Sequence, residues 1–119
     1  MQTSLSIPTW FDGVALHSGK AVSLCVHPAP AGHGIVFERS DLDLPRAERR
    51  IAVSPAALIE ANLCTKIGND HGVTVATIEH LMAALAGCGI HNALVTLDGP
   101  EVPILDGSSR PFVAAFVAA

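Results

Sequence analysis

Tyrosine is absent from the 119 residues, and one Trp and four Phe are the whole aromatic complement, 4% of the chain. A core of stacked rings is therefore excluded. Half of the residues are hydrophobic, so burial must come from Val, Leu, Ile and the many Ala, whose small side chains let elements approach closely. Cysteine is also scarce: Cys25, Cys64 and Cys88 are odd in number, widely spaced and without a C-x-x-C pair. That pattern excludes a disulfide framework and a zinc ribbon and points to a reducing compartment. Basic residues are outnumbered 7 to 11, for a formal charge of -4. Their only dense stretch, Arg46, Arg49 and Arg50 around Glu48, reads as a solvated loop or helix end, so nucleic acid is not an expected partner. No run approaches the ~18 to 20 apolar residues of a membrane span, and the first twenty residues lack the basic start and apolar run of a leader. A cytoplasmic location is the expectation.

The length suits one domain with a modest core. After a turn at Asp12 and Gly13, residues Ala21–Pro28 alternate, with Val22, Leu24 and Val26 on one side, as in a half-buried strand. Ile35–Arg39 reads as an antiparallel partner strand, and residues 40–50 as a charged loop. Residues 51–53 suggest a short strand, and 55–62 a helical turn capped by Ser54. The segments 64–67 and 73–75 flank GNDHG and read as a hairpin. Residues 77–86 form the clearest helix, because Ile78, Leu81, Met82 and Leu85 share one face; Thr77 is a suitable cap and Gly87 a suitable stop. Ala93–Leu97 is a strand, and Asp106-Gly107-Ser108 turns into a last helix, capped by Ser109, that has no polar face. The fold class is α+β, a sheet packed against a pair of helices.

Glu79 and His80 open the clearest helix. Its dipole favours an anionic carboxylate and a neutral imidazole in the first turn, and successive side chains diverge by about 100 degrees. One could bind a metal while the other takes a proton from water. Taken alone, the pair fits better a glutamate that complements the dipole beside a half-exposed histidine, since it is not H-E-x-x-H and no second ligand shares the helix. A catalytic zinc takes about three protein ligands. His17 sits in a Gly-bounded turn that could offer it to a cleft, His27 and His33 read as solvated, and Asp106 as a turn residue.

Taken together, GVALHSGK (residues 13–20), HPAPAGHGIVFERSDL (27–42), NLCTKIG (62–68), VATIEHLMAALAGCGIHN (75–92) and DGPEVPILDGSSRPFV (98–113) closely resemble the UDP-3-O-acyl-N-acetylglucosamine deacetylases of lipid A synthesis in Gram-negative bacteria. They stand in that family's order across nearly the whole chain. The resemblance implies two similar domains, each a β-sheet on a pair of helices, with the active site between them. It implies that Glu79 is the general base and His80 a zinc ligand, that His17 lines the cleft, that Leu63 and Cys64 belong to an insert at its mouth, and that Asp106 is supportive. Ala15 and His91 stand where the family commonly has Gly and Asp.

Family enzymes continue into a second domain whose H-K-x-x-x-D motif provides the other zinc ligands, and that motif is not among these 119 residues. The expectation is an amino-terminal domain, residues 1–119, of a zinc-dependent hydrolase, catalytically incomplete alone and holding Zn2+ weakly or not at all. Its substrate would be a UDP-3-O-acyl-N-acetylglucosamine. The alternative is a single-domain, non-catalytic homologue acting as a binding or regulatory partner. The last helix offers Phe112, Val113, Phe116 and Val117 with several alanines, of which a single small domain can cover one face but not the rest; that suggests an exposed apolar surface and with it a homo-oligomer, most simply a two-fold dimer.

Overall fold

Strand β2 (Ala21–Pro28) alternates as its sequence requires, with Val22, Leu24 and Val26 buried on one face. In the computed structural model, which describes residues 4–59 and 64–118, this strand belongs to a five-stranded sheet. The order is β1-β2-β8-β3-β4, where β1 is Thr9–Val14, β3 Ile35–Arg39, β4 Arg50–Ala52 and β8 Ala93–Leu97. The turn expected at Asp12 and Gly13 is instead part of β1. Gly13 serves a close approach there: a Cβ would lie 3.0 Å from Leu105 Cδ2 and from Pro103 Cβ, where the chain crosses over the strand.

The expected pairing of β2 with β3 does not form. Strand β8 inserts between them, antiparallel to β2 and parallel to β3. Ala93, Val95 and Leu97 are all buried, and a strand this apolar is best placed at the centre, where both of its edges are paired and one face meets the core.

Above the sheet lie α1 (Glu79–Gly87) and α2 (Arg110–Ala118), which contact each other. Leu81, Ala84 and Leu85 of α1 and Phe112 and Phe116 of α2 are buried. The few aromatic rings are concentrated at one place: Phe11 of β1 lies 4.8 Å from Phe112 and 5.8 Å from Phe116, centroid to centroid. Phe112 and Phe116 are thus core residues, Val113 is half-buried, and of those four Val117 alone is exposed, so the domain covers one face of the helix. The sheet needs a large apolar cover, and the aromatic side of α2 provides it.

Helix α1 runs through Gly87 rather than stopping there. Gly89 takes the left-handed turn (φ 69°), with Ile90 N–H bonding Leu85 O at 2.9 Å and Gly89 N–H bonding Ala86 O at 3.1 Å. Thr77 is not its cap either, since Ile78 holds that position with no side-chain capping bond.

A second sheet, β5-β6-β7, is made of Leu58–Ile59, Lys66–Gly68 and Thr74–Ala76. Its β6-β7 hairpin follows the expected GNDHG turn. Asn69 organises that turn, accepting the His71 and Val73 N–H groups and donating to Glu48 O and Arg50 O. The helical turn expected over 55–62 shrinks to Pro55–Ala57 without a Ser54 side-chain bond, followed by β5; residues 60–63 lie outside the described ones.

The arginine run is only partly solvated: Arg46 is exposed on a short helical turn, whereas Arg49 and Arg50 turn toward Glu38. Glu38 and Arg50 are cross-strand partners, and Arg50 Nε donates to the buried Glu38 carboxylate at 2.6 Å, with Arg49 at 3.3 Å and Arg46 at 3.9 Å. His27 and His33 are half-buried rather than solvated: His27 Nε2 meets Thr96 Oγ1 and His33 Nδ1 meets Gly34 O, both at 2.9 Å. Among the described residues no helix is long and apolar enough to cross a membrane.

Candidate functional site

Glu79 and His80 occupy the first turn of α1, both half-buried. The helix start is tied to the strand region before β6 in both directions. Ile78 N–H donates to Thr65 O at 3.3 Å, and Thr65 N–H donates to Glu79 Oε2 at 3.2 Å. The other carboxylate oxygen, Glu79 Oε1, is buried and has no hydrogen-bond partner among the described residues. A buried acceptor without a partner is costly, and its presence at a first helical turn beside a histidine marks a place where a proton or a cation can be received. Cys64, next to Thr65, is half-buried and free; Leu63 lies outside the described residues.

His17 lies in the tight connection between β1 and β2, where Ala15 N–H bonds Lys20 O and Gly19 N–H bonds Ala15 O, both at 2.9 Å. Gly19 has a positive φ of 70°, which that reversal needs. The His17 backbone N–H donates to Glu101 Oε1 at 3.1 Å, and the His17 Nδ1 makes a close hydrogen-bond contact with Glu101 Oε2. An ionised carboxylate only accepts, so Nδ1 carries the proton, leaving Nε2 as the ring nitrogen free to act elsewhere.

Glu101 was not legible as a site residue in the sequence. Its carboxylate is buried at 3% exposure and also accepts the Thr77 hydroxyl at 2.5 Å. Burial alone would push its carboxyl up, but the hydrogen bonds from Thr77 and His17 outweigh this and hold it below the usual carboxylate range. The one available signal was an acid set in the otherwise apolar run from Pro100 to Leu105. Thr77, two residues before Glu79, has φ 61°. That conformation is a true outlier for a β-branched residue, and such outliers cluster at functional sites.

Asp106 stands apart. It is exposed, and its bonds are to its own turn: Ser108 N–H at 2.9 Å and Ser108 Oγ at 2.7 Å, while Ser108 Oγ in turn accepts Arg110 N–H at the start of α2. The Ser108 hydroxyl is the main reason that the Asp106 carboxyl sits below its ordinary pKa. The side chain that caps α2 in this way is Ser108, not Ser109. Among the described residues no three of His, Cys, Asp and Glu come together to hold a metal ion.

Residues 2–119 match the family described as UDP-3-O-acyl N-acetylglycosamine deacetylase. The chain is 51% identical over 112 residues to the UDP-3-O-acyl-N-acetylglucosamine deacetylase of Phenylobacterium zucineum, covering 94% of this chain and 38% of that protein. It is 52% identical over 118 residues to the Myxococcus xanthus protein of the same name, covering 99% and 36%. To the Vibrio cholerae protein of that name it is 48% identical over 101 residues, covering 85% and 32%. The chain thus spans between 32% and 38% of the length of these relatives.

Proposed function

Because the chain belongs to the UDP-3-O-acyl N-acetylglycosamine deacetylase family, we propose that it forms the amino-terminal domain of such a zinc-dependent hydrolase and carries one part of its active site. The substrate is a UDP-3-O-acyl-N-acetylglucosamine, and the reaction is hydrolysis of its 2-acetamido group. Water oxygen bonds to the acetyl carbon, the C–N bond breaks, acetate leaves and the sugar amine takes up a proton. Glu79 is the base that removes the proton from the attacking water. The observation that carries this assignment is Glu79 Oε1, a buried acceptor with no partner in a first helical turn. The adjacent His80, in the same first turn of α1, is the group placed to ligate a metal.

Zinc, when bound, supplies Lewis acidity toward the amide carbonyl and the water. His80 would hold it from this chain. The described residues fit one corner of such a site and not a whole one, since no three suitable donors converge; the remaining ligands belong to a second domain. His17 lines the cleft through Nε2, Cys64 borders its mouth, and Asp106 supports it through the turn into α2. The protein acts in the cytoplasm and has no nucleic-acid partner. Exposed Val117, with exposed Ala83, Ala86 and Ala114 on the two helices, supports a face that takes a second domain or, in the isolated chain, a second copy.

The test is complementation with the remaining part of a relative, supplied in trans or by fusion. Activity should return, and Glu79→Gln should lower kcat by about 10²- to 10⁴-fold with zinc retained, the range for a lost general base. His80→Ala should reduce both activity and zinc content. Full activity of Glu79→Gln, or equal zinc loss in both variants, would remove this division of roles. A complemented complex that never turns over would favour the non-catalytic homologue.

A further inference from the structure

The Glu101 carboxylate touches two segments that are far apart in the chain. One oxygen accepts the His17 backbone N–H, and the other takes both the His17 Nδ1 proton and the Thr77 hydroxyl. The backbone reinforces the same junction: Ala76 N–H bonds Pro100 O at 2.8 Å, Val102 N–H bonds Ala76 O at 3.1 Å, and Ala15 bridges Pro103. Residues 100–103 are therefore stitched on one side to the loop carrying His17 and on the other to the residues entering α1. Thr77 keeps its left-handed backbone at this point, and two residues later the chain presents Glu79.

We propose that Glu101 is the positioning residue of the site, a single buried carboxylate that sets the ring orientation of His17 and holds the strained backbone at Thr77, locking the His17 loop and the first turn of α1 into one register. Two features separate this role from that of an ordinary buried acid. The ring bond selects which nitrogen of His17 is left free, and the bond to Thr77 acts on a conformation that threonine does not adopt unaided. The functional meaning rests on the reading that His17, Glu79 and His80 serve one cleft, but the geometric claim can be tested without any turnover.

The experiment is NMR of the chain itself, following the His17 ring nitrogens and amide hydrogen exchange in Glu101→Gln. The amide cannot accept at both positions, so the His17 amide and the Thr65 amide, which reports the Glu79 contact, should each lose about tenfold in protection, the scale of one hydrogen bond. Amides of the central strand Ala93–Leu97 should keep theirs. If Glu101→Gln does not fold, Thr77→Val removes only the hydroxyl. It should lower Thr65 protection while the His17 ring keeps the protonated-Nδ1 pattern, because Glu101 still accepts there, and Thr77→Ser should restore the protection; in Glu101→Gln, by contrast, the ring signals should shift. Unchanged His17 ring signals in Glu101→Gln, unchanged Thr65 protection in Thr77→Val, or a loss shared equally by the central strand, would overturn the proposal. Failure of the deacetylase reading would appear only in the complementation assay and leaves these readouts standing.

Discussion

Zinc binding by this chain should be weak, and the ligand inventory says how weak. A structural zinc with four protein donors is worth about 10 to 16 kcal/mol near pH 7, roughly 2.5 to 4 per donor. His80 alone would then give about 2.5 to 4 kcal/mol, and His80 with Glu79 about 5 to 8, a Kd of roughly 0.2 mM to 1 µM. Glu79 already accepts the Thr65 N–H through Oε2, while Oε1 has no partner, so one oxygen is available and the stronger end of that range is the limit. No group of three potential ligands exists among the described residues to raise it. Calorimetric titration of demetallated chain at neutral pH reads the value directly, and His80→Ala should abolish measurable heat. A stoichiometric zinc that survives a strong chelator, with Kd below about 10 nM, would refute the reasoning, because it needs about 11 kcal/mol and two donors do not supply that.

Phe112 is fully buried against Phe11, so Phe112→Ala should lower stability by about 3 to 5 kcal/mol in urea titrations followed by far-UV circular dichroism; a loss below about 1 kcal/mol would mean that α2 is not packed as described. Because the folded chain holds the Glu101 carboxyl below its usual range, its contribution is complete above the unfolded value of about 4.3 and is lost as pH falls through the lower folded one. Glu101→Gln should therefore flatten part of the acid limb of a stability–pH profile, and an unchanged limb would contradict the assignment. Light scattering at micromolar concentration should show self-association through the helix face that includes Val117, and Val117→Lys should weaken it; a concentration-independent monomer would remove that reading.

Features set by a few neighbouring residues are legible in the sequence. The alternation of Val22, Leu24 and Val26 and the helical face of Ile78, Leu81 and Leu85 are properties of a few consecutive residues, and all six are buried. The hairpin around GNDHG is equally local. The Glu79-His80 pair was legible as a candidate for the same reason, though its roles came from family resemblance rather than from spacing. Pairings between distant segments were not legible. Which strand lies beside β2 depends on competition among all the strands, and β8 wins because its apolar alternation suits a position with neighbours on both edges. The arginine run looked like surface charge because nothing in it reveals that Arg50 would face Glu38 across a strand pair.

By itself, then, the sequence determined the α+β class, the main elements and the chemical character of the first turn of α1, since periodicity and helix dipoles act over a few residues. Only the tertiary structure decided that Glu101 joins His17, 84 positions away, to Thr77, 24 positions away, and that Phe112 and Phe116 are the residues of α2 that close the core while Val117 faces solvent. The physical reason is that a buried carboxylate must find its donors wherever the fold brings them, and an apolar helix face must find whichever surface is left to cover. Neither partner is specified by neighbours in the chain.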